Sequence, residues 1–158
     1  MNEIDQIVIF KLNKQKYALH LSAVIRIVLA AEITLLPKAP EIVLGVINVQ
    51  GEILPVVDIK KRFNLPERDI LINDQLIIAK TSKRRVTLLV DEVIGLVDYD
   101  VKKIIKTDTI LPHLQYVEGI AKIPDPKDAS HNLVLIHDLE KFLSFEEEKT
   151  LDAAIRKV

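Results

Sequence analysis

Apolar residues in this chain recur mostly at every second position, which is the period of a β-strand with one buried face. In YALHL, residues 17–21, the odd-numbered positions are large and apolar, so this segment is predicted to be a half-buried strand. Several short, closely spaced strands with turn residues between them predict small barrels or a sandwich. The other predicted strand segments are GVINV (45–49), EILPVVDI (52–59), QLIIAK (75–80), RVTLLVDEV (85–93), IGLVDYDV (94–101), QYVEGIAKI (115–123) and NLVLIHDL (132–139).

The passage GVINVQGEILPVVDI, residues 45–59, contains two β-branched runs separated by Gln50 and Gly51. This spacing predicts a β-hairpin in which Gly51 supplies a positive φ. Pro55 cannot donate a hydrogen bond to a strand ladder, so it is expected at a sheet edge or a bulge. The polar segment TSKR, residues 81–84, predicts a second hairpin between the runs that flank it.

Helices are predicted in three places. Asp58 is expected to be the N-cap of the short helix IKKRFNL, residues 59–65, and HDLEKFL, residues 137–143, is a second short candidate. Ser144 and Glu147 form an S-x-x-E capping box at the start of a C-terminal helix that runs through about residue 156. The apolar residues along one face of that helix are Phe145, Leu151 and Ile155.

The composition narrows the class of protein. A chain of 158 residues is expected to form one domain, or two small barrels that share a core. It has no cysteine, which excludes disulfides, cysteine-ligated zinc and a cysteine nucleophile and favours a reducing, cytoplasmic location. No signal peptide or membrane-spanning run is recognisable. A net charge of −1, no tryptophan and only 4% aromatic residues argue against nucleic-acid binding.

The four histidines do not form a metal or catalytic motif. His20 lies on the polar phase of its strand and is expected to be solvated, and His113 follows a proline in a predicted loop. His131 and His137 bracket a strand, so they are expected at opposite ends of it. No pair has the i, i+4 spacing of a helical metal site. The loop that contains His131 is predicted over residues 124–132.

The charged runs have a structural interpretation in each case. Asp91 and Glu92 are adjacent in a strand and point to opposite faces, so they cannot share a proton in one site. The run 146–148, three glutamates, lies in the first turn of the C-terminal helix and complements its dipole. The basic run 83–85 is expected to be a solvated hairpin tip, with a phosphate or nucleic-acid contact as the alternative.

The glycines do not form a phosphate-binding loop, since Gly45, Gly51, Gly95 and Gly119 are far apart in the chain. Each is expected at a bulge or turn, or where another backbone comes close. A β-protein without a reactive constellation is predicted to be a binding module. The alternative from another class is a small enzyme or ligand-binding barrel, which would need a deep polar pocket with strongly perturbed titratable groups.

The order of the motifs resembles the CheW family of bacterial chemosensory adaptors over nearly the whole chain. The passages that carry the resemblance are YALHLSAVIRIV, EITLLPKAPEIVLGVINVQGEILPVVDIKKRFNLP, VTLLVDEVIGLV and LVLIHDLEKFLSFEE, in that order.

The resemblance implies a mainly β CheW-like fold of two five-stranded SH3-like barrels that share a core, with a few short helices and a C-terminal helix. It implies a single domain over 1–158, with the first barrel over 17–80, the second over 1–16 and 81–145, and the helix over 145–157. It also implies a non-enzymatic scaffold without cofactors or metals.

The implied partners are a chemoreceptor signalling tip and the regulatory domain of a CheA-type histidine kinase. Self-association or ring formation is a further expectation, without nucleic-acid binding or membrane insertion. The implied location is the cytoplasm, at membrane-associated receptor arrays. The alternative is a CheW-like scaffold of a divergent pathway, for example pilus-based motility, with altered partner specificity.

The resemblance also indicates which residues contact partners. The apolar receptor groove is expected between the barrels, and plain core packing is the alternative for each valine. The expected partner-binding residues are Val24, Arg26, Gly45, Val49, Gln50, Gly51, Val90, Gly95 and Val97.

Two of these positions depart from the family pattern. Where the family reads V-x-E-I this chain has Arg26 in place of Glu, and where it reads N-L-R-G the chain has Gln50 in place of Arg. A paired change avoids bringing two cations together. We therefore expect the Arg26 guanidinium within about 3.5 Å of the Gln50 side-chain oxygen or of Glu52.

Overall fold

The computed structural model describes residues 3–29, 33–66, 69–71, 73–106, 116–123 and 133–156. Most of this part of the chain is β-structure, as predicted. The strands are β1 (Ile4–Leu12), β2 (Gln15–His20), β3 (Val24–Leu29), β4 (Val43–Val49), β5 (Glu52–Val57), β6 (Gln75–Lys80), β7 (Arg85–Val90), β8 (Glu92–Asp100), β9 (Ile105–Lys106), β10 (Val117–Lys122) and β11 (Leu133–His137). The helices are α1 (Ile59–Arg62) and α2 (Phe145–Ile155), with 3-10 turns at Leu21–Ala23, Val101–Lys103 and Leu139–Lys141.

One sheet has five strands in the order β3-β6-β7-β5-β4. All pairs are antiparallel except β5 with β7, which is parallel. The backbones of Thr34 and Val46 exchange two hydrogen bonds, of 2.9 and 2.8 Å, along the far side of β4. Because Thr34 follows β3 in the chain, this bridge brings the two edges of the sheet together into a barrel-like form.

Pro55 fits into this sheet without losing a ladder bond. The strand that contains it is not at an edge, since β5 lies between β4 and β7, so that part of the expectation is wrong. Both backbone groups of Val46, the partner of Pro55, bond to Thr34 instead. Pro55 is therefore in a non-hydrogen-bonded pair. Pairing with β7 begins only at Val56, so no ladder bond is missing from Pro55.

The second sheet has six strands in the order β8-β1-β2-β11-β10-β9. The sixth strand is β9, which has only two residues. β1 is paired on both sides, with β2 and with β8, and β2 pairs in parallel with β11. The periodicity did not single out β1 and β3 as strands, because β1 carries charged residues at its start and β3 is apolar on both phases.

A shared apolar core joins the two sheets, as predicted. Its main cluster contains Phe10 and Tyr17 from the six-stranded sheet, Ile77 and Leu88 from the five-stranded sheet, and Leu151 from α2. Each sheet has a smaller apolar cluster as well. β2 is consequently covered on both faces, with Ala18 in one cluster and Tyr17 in another, so the prediction of a half-buried strand is wrong.

Sheet pairing divides the chain at other positions than the expected barrels. β2 pairs with β1 rather than with the strands after residue 21, and β7 pairs with β6 rather than with β8. The five-stranded sheet thus lies within residues 24–90, against an expected first barrel of 17–80. Short hairpin connections explain both differences, because they keep consecutive antiparallel strands in one sheet. As domain limits, the expected boundaries stay a prediction.

The two helix caps form as predicted. The Asp58 side chain accepts from the Lys61 amide at the start of α1. Ser144 and Glu147 make both hydrogen bonds of the capping box at the start of α2. The predicted buried face of α2 is wrong at Phe145, which is 63% exposed. The residues of α2 that are buried are Glu148, Leu151 and Ala154.

Candidate partner-binding surface

The β4–β5 hairpin presents its two-residue tip to solvent. Gln50 and Gly51 have φ values of 52° and 88°, the left-handed conformation that two-residue hairpin turns require. The Asn48 side-chain oxygen accepts from the Gly51 amide at 2.9 Å and fixes the turn. Both tip residues are exposed, and a Cβ at Gly51 would meet nothing within 4 Å. The hairpin predicted from the sequence is therefore confirmed.

Gly45 and Gly95 occupy opposite environments. A Cβ on Gly45 would overlap the Thr34 backbone oxygen and lie 2.8 Å from Ile33 Cγ2, so this glycine permits the chain's own backbone to come close. Gly95 lies in β8 and a Cβ there would meet nothing within 4 Å. Of these two expected contact residues, only Gly95 has open space beside it.

The four expected contact valines differ in accessibility. Val90 is 1% exposed and belongs to the main core, so the structure places it in the core rather than on a surface. Val24, Val49 and Val97 are partly buried, and each packs against a different apolar cluster. The side chains of these three valines are therefore neither fully in the core nor fully exposed.

The expected contact of Arg26 with Gln50 or Glu52 is wrong. Among the described residues, no hydrogen bond or ion pair joins Arg26 to either of them. Glu52 instead accepts from Arg85 Nη1 at 3.1 Å. The reason is the strand order, since β6 and β7 lie between β3, which carries Arg26, and β5, which begins at Glu52. Arg26 is exposed on β3 and opposite Ile78.

Each sheet ends in an edge strand with exposed aliphatic side chains. On β3 these are Ile25, Ile27 and Leu29, and on β8 they are Ile94 and Leu96, with exposures between 38% and 65%. Exposed apolar groups on strands that are paired on one side only are typical of surfaces that a partner covers. The sequence carried a signal for them, namely apolar residues on both phases of a strand, but their exposure depended on the strand being at an edge.

In the basic run 83–85, Lys83 and Arg85 are exposed, as expected of a hairpin tip, but Arg84 is not solvated. Arg84 donates from Nε to Glu148 at 2.7 Å and from Nη2 to Asp152, which ties the β6–β7 hairpin to α2. Arg85 pairs with Glu52 across β5 and β7. Because two of the three cations pair with carboxylates of the same molecule, the run is a poor candidate for a phosphate site.

Two of the acidic groups also hold the fold together. The Asp91 carboxylate pairs with Lys60 Nζ at 2.7 Å and accepts from the Asn13 amide at 2.7 Å, which joins α1 to the β1–β2 turn. Glu147 accepts from Arg62, which lowers the pKa of Glu147 against the opposing effect of burial. The prediction that the glutamate run complements the start of the helix is confirmed for Glu147, which caps it.

A cavity of about 120 Å³ lies beside this network, lined in part by Asp58, Lys60, Asp74 and Asp91. Each polar group there has a structural partner. Asp58 caps α1, Asp74 accepts from the Leu71 amide, and Asp91 holds Lys60. The polar groups at this cavity therefore have structural roles within the fold.

The histidines are placed differently from the expectation. His20 is not simply solvated, because both of its ring nitrogens contact carboxylates. His137 is 1% exposed in the core, and burial lowers its pKa to about 3. His113 and His131, with the loop predicted over 124–132, lie outside the described residues. Within the described ranges, no group of His, Cys, Asp and Glu could hold a metal ion.

The described helices include none that is long and apolar enough to cross a membrane.

Comparison with known proteins identifies the family. The family model described as CheW-like domain matches residues 6–147. The chain belongs to the CheW-like family. The resemblance that the motif order indicated is therefore confirmed.

Curated relatives support this assignment at modest identity. The chain is 34% identical over 88 residues to the chemotaxis protein CheW of Rhizobium meliloti, an alignment that covers 56% of this chain and 57% of that protein. It is 23% identical over 156 residues to CheW of Treponema pallidum, covering 95% and 88%. The alignments with the relatives from Rhizobium meliloti and Bacillus subtilis span little more than half of those proteins.

A solved structure of the family has the same fold. The scaffolding protein TtCheW from Thermoanaerobacter tengcongensis matches with a TM-score of 0.79 and 29% identity, covering 93% of this chain and 96% of that one. The two-barrel CheW-like fold expected from the motifs is confirmed. One sheet has six strands rather than five, because of the short β9.

Proposed function

We propose that this protein is a non-enzymatic scaffold adaptor that couples methyl-accepting chemoreceptors to a CheA-type histidine kinase. Membership of the CheW-like family supports the proposal. In this role the protein acts in the cytoplasm at membrane-associated receptor arrays. It works by contact alone and uses no cofactor.

The observation that carries the proposal is the pair of exposed apolar edge strands, one on each sheet. A coupler needs two surfaces that can be covered at the same time. The two edges meet this requirement because β3 is the edge strand of one sheet and β8 is the edge strand of the other. An edge strand can bind a partner through its backbone as well as through its apolar side chains.

The test is co-sedimentation of the full chain with a receptor signalling-tip fragment and with the kinase regulatory domain, measured for each partner separately. Ile27→Lys and Leu96→Lys each place a charge at the centre of one edge. We expect each variant to weaken one partner about tenfold or more and to leave the other nearly unchanged. Phe145→Lys is the control for a new surface charge, because Phe145 lies on α2 and is 63% exposed, against 38% for Ile27 and 52% for Leu96.

Circular dichroism of each variant confirms that the fold is retained. If both edge variants bound both partners as the wild type does, the two edges would not be the coupling surfaces. A variant that lost both partners together would mean that the partners share one surface.

The hairpin tip is a further proposed contact. Gly51→Asp is expected to weaken partner binding more than it lowers the melting temperature, because the tip is exposed and has open space. Gly51→Asn is the control, since Asn tolerates positive φ and adds no charge. A Gly51→Asp variant that is fully unfolded would make the glycine a turn residue only.

Arg26 and Gln50 support the alternative of a divergent chemosensory pathway, since both depart from the family pattern. The two side chains are exposed and are not bonded to each other, so each is available to a partner. An unmatched charge at an interface discriminates against the wrong partner. Affinities for both partners are to be compared between wild type and Arg26→Glu/Gln50→Arg. Unchanged affinities would show that these positions do not set partner choice.

A further inference from the structure

His20 is held between two carboxylates at one end of the six-stranded sheet. Its Nδ1 lies 3.1 Å from Asp5 Oδ2 on β1, and its Nε2 lies 2.9 Å from Glu118 Oε2 on β10. Tyr99 of β8 adds its hydroxyl, 3.4 Å from Asp5 Oδ2 and 3.5 Å from His20 Nδ1. One imidazole thus connects three strands of the sheet, with a fourth beside it.

With Asp5 and Glu118 both ionised, these two contacts are satisfied together only by the protonated ring. A carboxylate only accepts hydrogen bonds, and an imidazole with an acceptor at each nitrogen must therefore donate from both. Only the imidazolium carries two N–H groups. When the ring loses a proton, one nitrogen becomes an acceptor that faces a carboxylate, and one of the two contacts must break.

Among the described residues, Asp5 accepts other hydrogen bonds that keep it in place, and Glu118 accepts none besides the one from His20. The Asp5 carboxylate also accepts from the Gln6 amide at 2.8 Å and from the Tyr99 hydroxyl. Within the described part of the chain, the hydrogen bond from His20 is the only one that Glu118 accepts. We therefore expect deprotonation to release Glu118.

The contact with Glu118 spans a strand that neither residue belongs to. β11 lies between β2 and β10, so the side-chain contact reaches across it. Glu118 lies where the β10–β11 register shifts, between Val117 and Gly119, and is left out of the strand pairing. A side-chain bond at such a bulge fixes a stretch of strand that the ladder holds weakly.

We propose that the His20–Glu118 contact is a pH-sensitive latch, which fastens the start of β10 to β2 when the imidazole is protonated and releases it as the pH rises. The latch would make the six-stranded half of this scaffold more mobile at alkaline pH. This proposal does not depend on whether the proposed receptor and kinase contacts are correct.

The charged groups around the ring support this direction. The hydrogen bond with Glu118 raises the pKa of His20 above its ordinary value, burial opposes this, and the charge of Asp5 acts with Glu118. Asp138 follows β11, between β2 and β10, but its carboxylate accepts from the Glu140 amide. The pKa of His20 is higher in the folded protein than in the unfolded chain. The contact therefore stabilises the fold fully at pH values below the pKa of the unfolded chain, and this stabilisation is lost as the pH rises through the pKa of the folded protein.

The first test is an NMR titration of the full chain labelled with ¹⁵N in its histidines. The His20 signals are assigned by their loss in His20→Gln. We expect both ring nitrogens to be protonated at pH 6 and to titrate at a higher pH than an unperturbed histidine. A ring that is a neutral tautomer at pH 6 would overturn the proposal, whatever the variants do.

The second test is hydrogen exchange of the β10 amides between pH 6 and 8.5, corrected for intrinsic rates. We expect wild-type protection at the start of β10 to fall roughly two- to five-fold on raising the pH, the size of one partly exposed charge-assisted bond. Glu118→Gln should lower the pKa of His20 and abolish this pH dependence. Glu92→Gln, an equal charge change on β8, should behave as the wild type. Equal behaviour of the two variants would overturn the proposal.

Discussion

The stability of the fold in acid is expected to depend on one buried histidine. His137 lies among aromatic rings, with ring centroids 4.5 Å from Phe63, 5.0 Å from Tyr17 and 5.7 Å from Phe142. Neither ring nitrogen makes a hydrogen bond of good geometry among the described residues, although the Tyr116 backbone lies close to the ring. Burial therefore favours the neutral ring and lowers its pKa to about 3, and the backbone of Tyr116 opposes this only in part. Acid must either charge this ring inside the core or unfold the protein.

The size of the effect follows from the difference in proton binding. An unfolded histidine titrates near 6.5, so between pH 6.5 and about 3 the unfolded chain binds a proton that the native state does not. Each pH unit in this window is worth about 1.4 kcal/mol, which gives about 3 kcal/mol of lost stability at pH 4.5 and about 4 kcal/mol at pH 3, where the native ring is half protonated. A loss of 3 kcal/mol is a large part of the 5–15 kcal/mol typical of a domain.

The assay is urea unfolding followed by circular dichroism at pH 7 and at pH 4.5, on wild type and on two variants. His137→Leu and His137→Phe both remove the titrating group but differ in volume, so an effect that both share belongs to the proton and not to repacking. We expect each variant to lose about 3 kcal/mol less than the wild type on acidification, whatever its stability at pH 7. If all three proteins lost the same amount, the reasoning from burial would be refuted.

Three further predictions concern stability, each measured by urea or thermal unfolding. Asp91→Ala leaves the buried Lys60 without this ion pair and should lower the free energy of unfolding by about 3 kcal/mol. Glu52→Ala removes an exposed ion pair with Arg85 and should lower it by under about 1 kcal/mol. Similar losses for the two variants would contradict this prediction. Gly45→Ala should cost about 1–3 kcal/mol because its Cβ would overlap a backbone oxygen, and Gly95→Ala should be tolerated. Arg84→Gln should lower the free energy of unfolding by about 2 kcal/mol and reduce the protection of the α2 amides from hydrogen exchange. Unchanged hydrogen exchange would show that the ion pairs of Arg84 do not hold the helix.

Local features of the fold could be predicted from the sequence. The turn at Gln50 and Gly51 and the caps at Asp58 and Ser144 each depend on residues at most a few positions apart. For these features, backbone conformation and nearby hydrogen bonds are sufficient. The order of the motifs added the family and, with it, the two-barrel fold.

The candidate surface could be predicted only in part. Gln50 and Gly51 are exposed and Gly95 has open space beside it, whereas Val90 is in the core, which was the alternative for each valine. That these residues contact partners stays a prediction. The exposed edges at Ile27 and Leu96 were missed. Whether an apolar strand is covered depends on which strand lies beside it, and this is set by pairing between distant segments.

Polar residues show the same division between local and distant causes. His20 meets Glu118 across 98 positions of the chain, and Arg84 meets Glu148 across 64. A run of basic residues or a histidine on a polar phase looks solvated until a distant carboxylate is brought to it. The sequence by itself determined most of the strands, the hairpin turns and the helix caps, because these follow from neighbouring residues. Only the tertiary structure decided which edges stay open and which charges are paired, because both depend on how the strands pair and pack.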